Sequence, residues 1–359
     1  MDLSTRSQPL SVPDFGSNAS NRYRRQTQFA PLGTAGQERL AQSSVAICGC
    51  GALGSVLAER LIRAGVGRIR LIDRDWVEWD NLPRQTLFTE ADAEQRLPKA
   101  VAASEKLRAI DSRIALEVAV EDITFRNVHQ LLGDVDVILD GTDNFETRYL
   151  VNDFAIAHAK PWVHAGCIGA QGQVLPLWPG KTACFRCLLP ELPPADSVGT
   201  CDTVGVLGPA VSMIASCQAL EAIKLLTHTT NETLGKLQVF DMWQGTHRSI
   251  SLGALYADGQ CPACQKRDLE FLEGRRSAAT SILCGKNAVQ VQAPATQRIN
   301  LKEMSERLAV HGNVQVNAFL LRVQVDAFHI TLFSDGRAII AGTEDPAIAR
   351  SVYSKVIGN

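Results

Sequence analysis

Val45-Ala46-Ile47-Cys48-Gly49-Cys50-Gly51-Ala52-Leu53-Gly54 is the stretch that decides the fold. Its four leading apolar residues read as a short buried strand. Gly49, Gly51 and Gly54 match the G-x-G-x-x-G fingerprint, in which small residues permit a tight turn, phosphates close to backbone N–H groups and close packing of the next helix. That helix is apolar-periodic through Leu57, Leu61 and Ile62, and the next strand, Ile69 to Ile72, ends at Asp73. Asp73 lies 24 residues after Gly49, where a strand-end carboxylate can bind ribose hydroxyls.

Beta–alpha alternation continues through a strand at Ile114–Val120, a helix near Asn127–Leu131 and a strand at Val135–Leu139 that ends at Asp140-Gly141-Thr142-Asp143-Asn144. The pattern predicts an α/β fold, a Rossmann-like, mostly parallel sheet covered by helices. After a strand at Trp162–His164 the text changes. Gln171–Leu177 and Leu237–Met242 read as antiparallel extensions, with a helix over Val211–Leu226 between them. Residues 188–206, rich in Pro, Gly, Asp and Thr, read as a crossover loop; loops beyond about 12 to 15 residues are usually lids, binding loops or mobile crossings. Residues 1–20 read as a flexible N-terminal extension and 21–275 as the main domain. A small α+β accessory domain follows at 284–359, with strands at Val314–Val316, Leu320–Val325 and His329–Phe333, a turn at Asp335-Gly336 and a closing helix over Pro346–Val356.

The chain has 359 residues, 36 basic and 38 acidic, for a formal charge of -2. No global field draws it to nucleic acid or an anionic membrane. The polar start carries no apolar signal core, no apolar run reads as long enough to cross a bilayer, and ten cysteines in this length do not make a disulfide scaffold. A reducing cytoplasm is the expected setting.

Two Cys-x-x-Cys knuckles, Cys184/Cys187 and Cys261/Cys264, stand 77 residues apart. Either alone reads equally as a redox pair or as buried thiols. Together they predict a closed four-sulfur zinc site, which leaves no open position for catalysis. Arg84 and Lys99 add cations beside the glycine loop, more than a neutral redox transfer needs; they suit ATP, where charge moves between the α-phosphate and pyrophosphate. Asp143, after another strand end, suits magnesium. The bland alternatives are solvated surface charges for Arg84 and Lys99 and a helix cap for Asp143.

From about Arg22 to Cys264 the chain resembles the ThiF/MoeB/HesA family of E1-like adenylyltransferases. The resemblance rests on Arg22-Tyr23-x-Arg25-Gln26, the glycine loop, Asp73-x-Asp75, Asn81-Leu82-x-Arg84-Gln85, Pro98-Lys99, Asp140-Gly141-Thr142-Asp143-Asn144-Phe145, both knuckles and Gly205-Val206-Leu207-Gly208-Pro209. It implies ATP contacts at Gly51, Asp73, Asn81, Arg84, Lys99 and Asp143, within a site that also takes in Gly49, Ala52, Gly54, Asp75, Gln85 and Asn144. It further implies magnesium at Asp143 and a homodimer in which Arg25 reaches the neighbouring subunit's site. The implied reaction forms an acyl-adenylate on the C-terminal glycine of a ubiquitin-like sulfur carrier ending in Gly-Gly, in thiamine or molybdopterin biosynthesis, with a sulfur donor protein as a further partner. Two positions depart from the family: Ala52, where many members have a third glycine, and Asp80, where serine is common.

Cys201 has no knuckle partner, and the resemblance implicates thiols at this position in persulfide, thioester or acyl-disulfide chemistry in some members while others dispense with them. It is the candidate reactive cysteine, against an inert loop thiol as the alternative. Cys48, Cys50, Cys167 and Cys217 read as small core hydrophobes. An NAD-dependent Rossmann oxidoreductase and a non-catalytic E1-like scaffold are the rival functions; the phosphate-directed cations and the lack of a hydride-transfer acid speak against the first. The accessory domain shows no sulfurtransferase loop around Cys284 and more resembles a ubiquitin-fold-like or partner-docking module, with a simple dimer-stabilising domain as the alternative.

Overall fold

The computed structural model describes residues 22–193, 204–229, 232–276, 280–283, 287–291 and 299–358. The extension expected at 1–20, and Cys201 and Cys284, lie outside them. The chain divides after Arg275 into two compact units.

The first unit is built on one eight-stranded sheet in the order β3-β2-β1-β4-β5-β6-β7-β8. Its strands are β1 Ser44–Cys48, β2 Arg68–Ile72, β3 Ala115–Ala119, β4 Val137–Asp140, β5 Trp162–Ile168, β6 Gln171–Leu177, β7 Lys236–Asp241 and β8 Thr246–Ser251. Strands β1 to β5 pair in parallel and β5 to β8 antiparallel. β1 is buried along its whole length and apolar from Val45 to Cys48, as a strand covered on both faces must be.

Helices α1 Gly33–Gln42, α2 Ala52–Ala64, α3 Lys99–Ile110 and α5 Gly208–Thr227 supply one core layer, through Leu40, Leu57, Ala103 and Ile214. Helix α4, Phe145–His158, supplies the opposite layer with Tyr149 and Phe154. α2 ends at Gly65, whose φ of +87° makes the left-handed cap. By length and composition α5 is apolar enough to cross a bilayer, which corrects the expectation that no such run exists; 61% of its apolar window is buried in the protein core.

Only the stems of the 188–206 loop fall among the described residues. The Tyr149 hydroxyl lies within hydrogen-bonding distance of the carbonyls of Leu189 and Glu191, at 2.8 and 2.6 Å, and Val206 bridges to Gly169.

The second unit is a six-stranded sheet, β11-β12-β13-β14-β10-β9, formed by β9 Thr280–Leu283, β10 Ala288–Val291, β11 Val314–Val316, β12 Leu320–Val325, β13 Phe328–Phe333 and β14 Ala338–Ala341. Helices α6 Leu301–Leu308 and α7 Pro346–Val356 contribute Leu308 and Tyr353 to its core. β9 lies upstream of the start expected at residue 284. Among the described residues every pairing is antiparallel, unlike the mixed sheet of a ubiquitin fold.

A Cβ on Gly54 would stand 1.8 Å from the Gly49 carbonyl oxygen, whereas one on Gly51 would meet nothing closer than 3.8 Å. Gly54→Ala is therefore expected to cost about 3 kcal/mol or more, and Gly51→Ala about 1 kcal/mol or less, read as urea midpoints. Equal losses at the two positions would contradict this packing.

Candidate active site at the carboxyl ends of the central strands

The strand order reverses between β1 and β4, and in open α/β sheets ligands bind outside the carboxyl ends of the strands at that point. Gly49 directly follows β1 with φ +90°, and its carbonyl oxygen lies so close to Gly54 and Gly141 that neither tolerates a side chain. Gly51 is the N-cap of α2 and Ala52 its first residue. The first-turn N–H groups have no partner within the helix, and they form its positive end. Backbone donors, not side chains, thus line the turn.

Asp73, at the end of β2, accepts from the Cys50 N–H at 2.6 Å and the Asp75 N–H at 2.7 Å. Burial lifts its carboxyl above the usual range, and the Lys99 ammonium opposes that lift. Lys99 opens α3, is 7% exposed, and sits 3.5 Å from Asp75. Burial alone would lower its pKa, but the fields of Asp75, Asp73, Asp143 and Glu78 overcome it and hold Lys99 above its ordinary value. Lys99 is therefore a permanent buried cation, not a solvated surface charge.

Asp143 is exposed and makes no hydrogen bond or ion pair among the described residues. The helix-cap reading belongs to its neighbour: Asn144 caps α4 by accepting from the Thr147 N–H at 3.3 Å. Arg74, which sequence reading missed, pairs with Asp122 at 2.9 Å and feels the fields of Asp75 and Asp143. Its only sequence signal was its place between Asp73 and Asp75.

Arg84 is half-buried and donates to the Asp80 carbonyl at 2.5 Å. Asn81 is buried, accepting from the Glu78 N–H at 3.1 Å and donating to the Asp80 carboxylate at 2.9 Å. Asp80 thus orients Asn81. Gln85 is buried beside Gly51 with its Oε1 unpartnered.

Arg25 does not join this group. Its short helix, Arg24–Thr27, is anchored by Tyr23, buried against Gly65, and by Gln26, which donates to the Ala64 carbonyl at 2.8 Å. That is the far end of α2, about 20 Å from the glycine turn for 13 residues.

Cys184, Cys187, Cys261 and Cys264 converge with all four sulfurs within 4.8 Å of one another. The Cys184–Cys261, Cys187–Cys264 and Cys184–Cys187 separations are 3.6, 3.4 and 3.8 Å. Tetrahedral zinc with bonds of about 2.3 Å places sulfurs about 3.8 Å apart, so the donor set and spacing fit it. Cys48 and Cys50 are core thiols pushed up by burial; Cys167 is buried and Cys217 half-buried.

Elemental analysis is expected to return about one zinc per chain, and Cys264→Ser to lower the thermal midpoint before it alters nucleotide affinity, because structural metal binding is coupled to folding. A stable, metal-free native protein would overturn this.

The ThiF family model matches residues 23–263. The chain is 41% identical over 340 residues to the sulfur carrier protein ThiS adenylyltransferase of Bacillus subtilis (strain 168), a span covering 94% of this chain and 100% of that protein. It is 35% identical over 249 residues to the sulfur carrier protein adenylyltransferase of Thermus thermophilus, covering 68% and 90%. With the adenylyltransferase and sulfurtransferase MOCS3 of Sus scrofa it shares 37% over 277 residues, covering 76% of this chain and 60% of that relative. Among solved structures, E. coli MccB with SeMet MccA has the same fold, with a TM-score of 0.59, 23% identity, and coverage of 68% and 73%. The family match begins at Tyr23, the buried anchor of the N-terminal arm, and ends at Ala263 inside the second knuckle; the chain belongs to the ThiF family.

Proposed function

We propose that this enzyme adenylates the C-terminal glycine of a ubiquitin-like sulfur carrier protein at the expense of ATP. The observation that carries the reading is the charge arrangement beside the glycine turn: a buried cation, Lys99, feels the fields of Asp75, Asp73 and the exposed Asp143 and acts in turn on Cys50, next to the start of α2. A neutral hydride transfer needs no such arrangement, and the relatives give the oxidoreductase no support.

The N–H groups at the start of α2 bind phosphate, Asp73 the ribose, and Lys99 and Arg84 the charge that develops on departing pyrophosphate. The carrier's carboxylate is ionised at neutral pH and needs no base. Its oxygen forms a bond to the α-phosphorus as the bond from that phosphorus to the bridging oxygen breaks, giving acyl-adenylate and pyrophosphate. The protein contributes position and fixed charge. Magnesium takes one or two protein carboxylates plus substrate phosphates, and the exposed Asp143 fits that need; when bound, the ion neutralises phosphate charge.

Arg25 acts in the partner's site of a homodimer, since its anchorage keeps it from its own. Among the pathways, thiamine biosynthesis is favoured over molybdopterin biosynthesis by the match that spans the whole ThiS adenylyltransferase, accessory unit included. A sulfur donor protein then acts on the activated carrier.

ATP–pyrophosphate exchange should require a carrier ending in Gly-Gly. Asp143→Ala and Arg25→Ala should each lower it by about 100-fold or more, and co-expressing the two variants should restore part of it. No exchange with any Gly-Gly carrier would sink the activity; no restoration would sink the shared site.

A further inference from the structure

A buried polar cluster absent from the sequence reading lies beneath the Asp143 loop. Asp140, at the end of β4, is 2% exposed, and His164, on β5, is 0% exposed. One Asp140 oxygen accepts from Arg148 Nε at 3.0 Å and lies 2.7 Å from His164 Nδ1. The other accepts the N–H and hydroxyl of Thr142 at 2.9 and 2.7 Å. Arg148 also donates to the Thr142 carbonyl at 2.5 Å. All three polar groups of Thr142 are held, and Thr142 directly precedes Asp143.

The cluster extends away from the crevice. His164 Nε2 lies 3.0 Å from the Gln173 amide nitrogen on β6. Burial raises the Asp140 carboxyl, but Arg148, His164 and Thr142 together bring it below the usual range, while burial drives His164 down. A carboxylate beside Nδ1 requires the proton there, and a neutral ring then leaves Nε2 to accept from the Gln173 amide. The tautomer and the amide orientation fix each other. From the other face of the sheet, Gln218 of α5 donates to the carbonyls of Asp140 and Val163 at 2.8 and 2.9 Å, just where the pairing of β4 with β5 ends.

We propose that His164, backed by Gln173, is a positioning residue for Asp143: the chain Gln173–His164–Asp140–Thr142 sets the turn from which Asp143 meets a metal–nucleotide complex. This rests on the reading of Asp143 as the metal carboxylate. Loss of the His164 donor leaves a buried carboxylate short of one partner, so Asp140 must turn or take up a proton, and its grip on Thr142 loosens.

The test is Mn2+ binding, followed by electron paramagnetic resonance in the presence of a non-hydrolysable ATP analogue. His164→Leu is expected to weaken Mn2+ binding by about 10-fold, in the range for loss of an outer support of a metal ligand, with metal-free nucleotide affinity unchanged. Gln173→Leu should weaken it by less. His164→Asn, whose amide nitrogen stands where Nδ1 was, should keep Mn2+ affinity within about 2-fold of wild type. A folded His164→Leu protein with wild-type Mn2+ affinity overturns the proposal; if that variant does not fold, unchanged affinity in Gln173→Leu does so. Asp143→Ala separates the two ideas. Weakened Mn2+ binding there upholds the metal reading independently, whereas wild-type binding overturns that reading and the positioning role with it.

Discussion

The carbonyl oxygen of Gly49 is the point on which the rest of the structure closes. A Cβ on Gly54 would lie 1.8 Å from it and one on Gly141 2.8 Å from it. The end of β1, the start of α2 and the end of β4 therefore meet backbone against backbone. Because nothing can be inserted between them, the turn at Gly49 presents the Cys50 N–H to Asp73 and leaves the first turn of α2 open to a ligand. Asp73 is in turn held by Cys50 and Asp75, so the shape of this end of the sheet is a consequence of three missing side chains.

Features with a local cause were legible in the sequence. The glycine loop, the buried apolar strands ending at Asp73 and Asp140, and the paired knuckles all depend on residues close together in the chain. Elements without such a signal were not. α3 buries alanines, Ala100, Ala102 and Ala103, instead of a stripe of large apolar residues. α4 is buried continuously from Thr147 to Ile156, which removes the polar face that marks a helical period. β8 is exposed throughout, and its Thr-His-Arg-Ser-Ile-Ser text lacks any buried alternation. The His164 cluster escaped for another reason: its members come from β4, α4, β5 and β6, and only the folded sheet brings them together.

The charges of the crevice are arranged for selectivity more than for stability. A buried ion pair gains little net folding energy, because desolvation offsets attraction. Lys99 stands 3.5 Å from a partly exposed Asp75, and Arg74 is shared between Asp122 and the field of Asp143. Lys99 is held by carboxylates without a tight pair, whereas Arg74 is committed to Asp122. A polyanion entering at the end of α2 meets positive charge already desolvated and fixed, the condition under which electrostatic stabilisation is strongest.

The four-cysteine cluster lies in a different part of the molecule. Its first knuckle follows β6 and its second follows β8, so closing it ties off the antiparallel half of the sheet. Ile156, in the last turn of α4, packs with Cys184 and Cys261, while Asn144 caps the opposite end of the same helix beside Asp143. Fourteen helical residues separate those ends by about 21 Å. At that distance a four-sulfur metal site cannot polarise a phosphate, and its effect on the crevice passes through the helix whose position it fixes.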